Sequence, residues 1–362
     1  MIASPRRRWL GRVGLACGSL LLGLVAAELL LRLLGIAPAR FEAPLALESA
    51  DKRVALDLYP DDPEERFPLD LRDDATRARW ATQIPEVASL GSHPHAVPLR
   101  FDAMLCRGEG PGPAPRLVVV GDSFTEGQGV EEQDTFVARL DASLDVSVVG
   151  CGRRGLDFPR LSERFEELVD ALEPDAVLYA MVLNDIARSD AFHARQRFID
   201  DWIVDRRRQV ESMHGVPNWP PRLVQVVDDR LEGRRVGAAT TRWYREMIGP
   251  DNAAGWQETV ARIVAMNTRL EGRFLVALWP LLVSLDDSPF RDLHRTIRET
   301  LEAAGVSVVD TLAAFEGQDA PSLWVHPADR HPNAAAHALF ADAVEAPLIA
   351  LMADIGSGWS AR

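Results

Sequence analysis

Five short apolar runs, separated by stretches of helical spacing, constrain this chain more than any other feature. Residues 116–120 (RLVVV), 146–149 (VSVV) and 176–183 (AVLYAMVL) are the first three; residues 273–283 contain a fourth, and 306–309 form a fifth. Helical periodicity occupies 132–144, 161–172 and about 253–271, 288–303 and 333–352. Continuous apolar runs, unlike alternating ones, suit strands buried on both faces. Strands that alternate with helices build a parallel sheet covered on both sides. The expectation is therefore an α/β domain over residues 116–352, opened by the breaker cluster 108–115 (GEGPGPAP). Residues 186–250 interrupt the alternation with Trp202, Trp219, Pro220, Pro221, Trp243 and Tyr244, and read as a helical insertion or lid after the third strand.

A second apolar run has another origin. Residues 13–31 are apolar except for Glu28, and Arg6, Arg7, Arg8 and Arg12 precede them. About 20 residues of helix cross the hydrocarbon layer, and a leading arginine cluster keeps the N-terminus in the cytoplasm. Residues 1–35 are thus read as a cytoplasmic tip and a transmembrane anchor, with the rest of the chain periplasmic or extracellular. Glu28 and Arg32, four apart, share a helix face and can pair. A cleaved signal peptide is the main alternative, because Ala37-Pro38-Ala39 is an A-x-A site, although the run is longer than the usual signal core. Cys17 lacks the leucine-like residue that a lipoprotein site needs three positions earlier, where Gly14 stands. Residues 36–115, rich in proline and acidic groups, read as a spacer and irregular region.

Charge and composition narrow the chemistry. Lys52 is the only lysine among 40 basic residues and lies far from any glycine-rich loop, so P-loop, Schiff-base and Ser-Lys mechanisms fall away. The net charge is −14 although the first 35 residues carry five arginines, and so acidic a body disfavours nucleic acid as a partner. Cys17, Cys106 and Cys151 are too widely spaced for a zinc site, and Cys106 and Cys151 are either two buried thiols or a disulfide formed outside the cytoplasm. His93 and His95 have no accompanying ligand cluster, and His326 reads as a loop histidine. No metal or cofactor is expected.

Four segments fall at the carboxyl ends of the expected strands, where open α/β sheets bind ligands. Gly121-Asp122-Ser123 follows the first strand and presents Ser123 at the start of a helix, a place suited to a nucleophile whose attack creates an oxyanion. Gly155 lies in a glycine-rich loop after the second strand. Asn184-Asp185 ends the third, where an amide can donate. Asp329-Arg330-His331-Pro332-Asn333 precedes the last helix, where a histidine can reach over the sheet edge. The string from Gly150 to Gly155 also spells the dinucleotide fingerprint, but it follows the second strand, not the first, and Pro159 soon interrupts.

With these four blocks in order, the sequence resembles the SGNH/GDSL hydrolases from about residue 116 to 351. The anchor with Glu28 and Arg32 also looks like that of bacterial membrane-tethered members. The resemblance implies a flavodoxin-like three-layer α/β/α sandwich, its five parallel strands in the order 2-1-3-4-5. It implies Ser123 as nucleophile, His331 as base and Asp329 as the group orienting His331. The oxyanion donors would be Ser123, Gly155 and Asn184. Two positions depart from the family pattern: Gly150 stands where an asparagine is usual, and Ala328 stands at the aspartate position of Asp-x-x-His, so that Asp329 gives Asp-x-His. The implied activity is hydrolysis of a small-molecule or glycan ester. An envelope glycan O-acyltransferase and a non-catalytic membrane-tethered binding module are the alternatives on the same fold.

Overall fold

The structure is a computed structural model that describes residues 5–36, 97, 100–108, 110, 112, 116–190, 192, 221–326 and 329–354. The side chains at 5–8, 10, 229, 232, 233, 236, 326, 329, 352 and 354 are outside that description. Lys52, His93, His95, the A-x-A site at 37–39 and most of the spacer therefore lie outside the described residues. So do the side chains of His326 and Asp329.

In chain order the elements are α1 (Pro5–Leu33), β1 (Arg116–Gly121), α2 (Ser123–Glu126), α3 (Phe136–Ser143), β2 (Ser147–Gly150), α4 (Arg160–Leu172) and β3 (Ala176–Met181). Then follow α5 (Arg222–Glu246), α6 (Ala253–Arg269), β4 (Phe274–Leu278), α7 (Arg291–Ala303), β5 (Ser307–Asp310), β6 (Trp324–His326), β7 (Asp329–Pro332) and α8 (Ala334–Asp354). Backbone contacts divide the chain into two units: Met1–Glu48 with Phe198–Ala239, and Ser49–Arg197 with Thr240–Arg362.

The second unit holds the sheet. Its five strands are all parallel and ordered β2-β1-β3-β4-β5, the order expected from the sequence. Side chains alternate between faces along each strand. Val118, Val120, Val177, Tyr179, Phe274 and Val276 meet Leu161, Phe165 and Leu168 of α4, Ile263 and Met266 of α6, and Leu293, Ile297 and Leu301 of α7. Leu117, Val119, Leu178, Leu275 and Ala277 meet Phe136 and Leu140 of α3 and Phe340, Val344 and Leu348 of α8. Both faces are thus covered, which explains why the strands read as unbroken apolar runs. Each fully buried Val, Leu or Phe contributes about 1.5–3 kcal/mol, so the sheet is a stiff platform for whatever its carboxyl edge carries.

Three local departures from the sequence reading have physical causes. The helix expected over 132–144 begins at Phe136, because Thr135 caps it by accepting from the Ala138 N–H at 3.2 Å; Glu132–Asp134 is a separate 3-10 turn. The third apolar run stops being strand at Met181 and turns through a 3-10 segment, Leu183–Asp185, closed by the Asp185 carboxylate accepting from Val182 N–H at 3.0 Å. The stretch before the last helix is not an open loop but the antiparallel hairpin β6–β7. α8, although apolar enough to span a membrane, turns Ala336, Phe340, Val344 and Leu348 into the core.

In the first unit, α1 contains a 23-residue apolar stretch, Gly11–Leu33, long enough to cross a membrane.

Candidate active site

The carboxyl end of β1 delivers Ser123. Gly121 allows the chain to turn there at close quarters, since a Cβ would lie 2.8 Å from the Ala180 carbonyl oxygen and nearer still to Thr125 Oγ1. Asp122 then caps α2, its Oδ1 accepting from the Phe124 N–H at 2.9 Å. Ser123 therefore occupies the first position of α2 and is only 8% exposed. His331, 208 residues later on β7, brings Nε2 to 2.9 Å from Ser123 Oγ. The imidazole packs edge-on against Phe124, ring centroids 5.5 Å apart.

The other sequence-predicted groups converge on the same rim. Asn184, just after β3, donates from Nδ2 to Asp122 Oδ2 at 2.9 Å, and that same oxygen lies 3.5 Å from Ser123 Oγ. An amide nitrogen carries two hydrogens, so one remains after this bond. The Asn184–Asp122 link was not legible in the sequence, because 62 residues separate the partners. Gly155, in the loop after β2, has φ of +70°, in the left-handed region that favours glycine. That loop is registered to β1 by Cys151 N–H donating to Val119 O at 2.8 Å and Arg153 N–H to Gly121 O at 3.1 Å. Asp329 lies on β7 two residues before His331.

Glu126 was not singled out from the sequence. It is wholly buried at the end of α2. Its Oε2 accepts from the backbone N–H of Arg154 at 2.7 Å, and its Oε1 from Arg154 Nη2, also at 2.7 Å. It therefore ties the residue before Gly155 to the helix that carries Ser123. Gly152 completes the closure, because a Cβ there would lie 2.6 Å from the backbone nitrogen of Glu126. Of the three glycines that mimic a dinucleotide fingerprint, Gly152 serves this packing, Gly150 faces Val137, and Gly155 has a φ of +70°. A single acidic residue after a helical turn gives no sequence signal of such a role; only the fold supplies its partner 28 residues away.

Residues ahead of the sheet reinforce the same loop. Cys106 and Cys151 form a disulfide, and Arg107 N–H donates to Gly150 O at 2.8 Å. The Arg107 guanidinium donates to the carbonyls of Glu126 at 2.7 Å, Gly127 at 2.8 Å and Val130 at 2.5 Å.

Burial dominates the electrostatics here. It raises the Asp122 carboxyl above its ordinary range, against the opposing hydrogen bonds from Phe124 and Asn184. Burial, then the nearby Asp122 charge, pushes Asp185 well above the usual carboxylate range, while Tyr179 Oη donates to it at 2.9 Å. On α8, burial drives His337 down to about 3, so it is neutral and its Nδ1 accepts from Phe136 N–H at 3.1 Å.

A hydroxyl hydrogen-bonded to an imidazole, with an amide donor beside it on one edge of a doubly wound sheet, is an arrangement able to carry acyl transfer. The chain belongs to the GDSL-like lipase/acylhydrolase family, whose model matches residues 119–339, more than half of its length. It is an ester-hydrolysing enzyme. Among solved structures it is similar to TesA, at 16% identity and TM-score 0.38 over 65% of this chain and 99% of that one. It is also similar to a catalytic mutant of Axe2, an acetylxylan esterase from Geobacillus stearothermophilus, at 16% identity and TM-score 0.37 over 66% and 95%. No curated protein matches the sequence.

Proposed function

We propose that the enzyme cleaves its ester by acyl transfer through Ser123, outside the cytoplasm, while α1 holds it in the membrane. The observation that carries the chemistry is the 2.9 Å contact between His331 Nε2 and Ser123 Oγ. His331 takes the hydroxyl proton as Oγ attacks the carbonyl carbon, and the carbonyl oxygen becomes an oxyanion. The backbone N–H groups of Ser123 and Gly155 and the second amide hydrogen of Asn184 receive it. Collapse expels the alcohol, which takes the proton back from His331. Water, deprotonated by the same imidazole, then releases the acid. Asp329 orients the ring through its carboxylate.

The location rests on two supports. Arg6, Arg7, Arg8 and Arg12 precede the apolar stretch and favour a cytoplasmic N-terminus. The Cys106–Cys151 disulfide belongs to an oxidising compartment.

The test is a panel of acyl esters and acetylated glycans, assayed with the wild type and with Ser123→Ala, alongside labelling by an active-site fluorophosphonate. Turnover and labelling that both vanish in Ser123→Ala support the reading. Ester turnover that persists in that variant defeats it. Acyl transfer to an added glycan with no free acid released replaces hydrolysis by transferase activity.

A further inference from the structure

Glu28 is the one acidic residue of the apolar stretch of α1, and the structure explains what it does there. Its Oε1 accepts from Arg32 Nε at 2.6 Å and from the backbone N–H of Arg222 at 3.0 Å, while Oε2 accepts from the backbone N–H of Leu223 at 2.8 Å. Arg222 also donates from Nη1 to the Ile36 carbonyl at 3.2 Å. The two N–H groups open α5 and are donors that no helical carbonyl can satisfy, at the positive end of the helix dipole. An ionisable side chain in an apolar span is costly unless a partner is supplied. Here the partner is the start of another helix, so α1 serves as the socket on which α5 begins.

From that socket α5 presents Val224, Val227 and Leu231 to its surroundings, exposed by 51%, 51% and 50%. Steps of three and four residues place them in one stripe, about 60° wide and about 10 Å long. Arg230 and Arg234, both exposed, flank this stripe. At the level of Glu28, α1 likewise exposes Leu29, Leu30 and Leu33. The medium that covers the outer end of α1 is therefore continuous with the medium that meets the first turns of α5. Long arginine stems beside such a stripe carry their charge up to a headgroup layer.

We propose that α5 from Arg222 to Arg234, its first three to four turns, is seated in the outer interface of the lipid bilayer, docked on the anchor through Glu28. Val224, Val227 and Leu231 face acyl chains, and Arg230 and Arg234 reach the headgroups. This rests on the reading of α1 as a membrane anchor, and the experiment separates the two. The full chain, with Cys17→Ser and the native disulfide kept, is reconstituted in nanodiscs of phosphatidylcholine and phosphatidylglycerol. Single cysteines at Val227→Cys, Leu231→Cys, Gly237→Cys and Leu20→Cys carry an environment-sensitive fluorophore, quenched either by doxyl lipids or by aqueous iodide.

The expected result is strong doxyl quenching at 20, 227 and 231, with iodide quenching confined to 237. Glu28→Gln is expected to lower doxyl quenching at 227 several-fold and leave position 20 unchanged. Iodide access at 227 and 231 equal to that at 237, with 20 still lipid-quenched, overturns the proposal and leaves the anchor intact. Shielding of 227 and 231 from both quenchers overturns it in favour of a protein partner or a second copy. No doxyl quenching at 20 overturns the anchor reading itself. An unchanged 227 signal in Glu28→Gln overturns the docking through Glu28.

Discussion

Ser123 and His331 meet in one hydrogen bond, but they are supported very differently. Ser123 rides on four residues of helix clamped from every side: Gly121 against the β3 backbone, Asp122 bonded to Asn184, Glu126 bonded to Arg154, and Arg107 on the carbonyls that follow. His331 rides on a two-stranded hairpin of three and four residues at the rim. Among the described residues, partly exposed contacts fix the hairpin. Asn333 N–H donates to Leu323 O at 2.9 Å, its Nδ2 donates to Ser322 O at 2.8 Å, Trp324 Nε1 donates to Leu282 O at 2.9 Å, and Arg330 stacks over Trp324 at 5.1 Å. Ser123 and the donor groups beside it form one preset block, and His331, the base in the proposed mechanism, is brought to it on a separate piece.

The sharpest challenge to this contrast is chemical. Both Ser123→Ala and His331→Ala are expected to lower kcat by about 10⁴-fold or more with the fold retained, because groups that act as a unit fail together. Turnover of a chromogenic ester beside far-UV circular dichroism checks this. A His331→Ala enzyme that keeps more than about a tenth of kcat would show that the hairpin is dispensable.

Glu126→Ala probes the clamped block. It removes the buried partner of Arg154, a loss of about 3–5 kcal/mol in unfolding free energy. It also releases the loop that carries Gly155, with about 100-fold lower kcat and little change in KM. Glu126→Gln is expected to recover part of both. Loss in KM alone would mean that Glu126 shapes binding and not the donor loop.

Reduction of the Cys106–Cys151 bond, or the paired Cys106→Ser and Cys151→Ser variant, is expected to lower stability by about 2–4 kcal/mol, for a closed loop with a separation of 45 residues. Urea unfolding with and without reductant measures it. No shift would remove this clasp from the list of supports.

Acid tests the hairpin side. His337, on the helix that continues from the hairpin, is held near 3 by burial, below the ordinary histidine value of 6.5. The unfolded chain binds the proton first, so stability falls as pH drops below about 6.5, by roughly 2 kcal/mol at pH 5. Replacing His337 with Asn should flatten that slope. Hydrogen exchange at pH 5 should open α8 before β1, and the reverse order would invert the contrast.

The smallest expected effect is at Asn333, whose Oδ1 accepts from the N–H groups of Ala335 and Ala336 at 3.0 and 3.2 Å and caps α8. Asn333→Ala should cost about 1 kcal/mol and lower kcat a few-fold by loosening the hairpin. Thermal melts with steady-state kinetics separate the two.

The contrast also explains what the sequence revealed. Runs such as RLVVV and AVLYAMVL are legible because burial on both faces demands unbroken apolar residues. Ser123, Gly155 and Asn184 are legible because each follows such a run. The β6–β7 hairpin is not: WVH and DRHP are too short for a strand period, and a proline there argues against one. The pairing of Glu126 with Arg154 and of Asn184 with Asp122 stays hidden, since each joins residues that only the crossover connections bring together.

The contact of Gly152 with the Glu126 backbone has a consequence for how such an enzyme can change over generations. A single methyl group there would press into the main chain of the short helix that carries Ser123, where the backbone cannot step aside to admit it. Heritable variation that retunes this catalyst is steered away from its centre, and new specificities have to be tried out along the rim that carries His331.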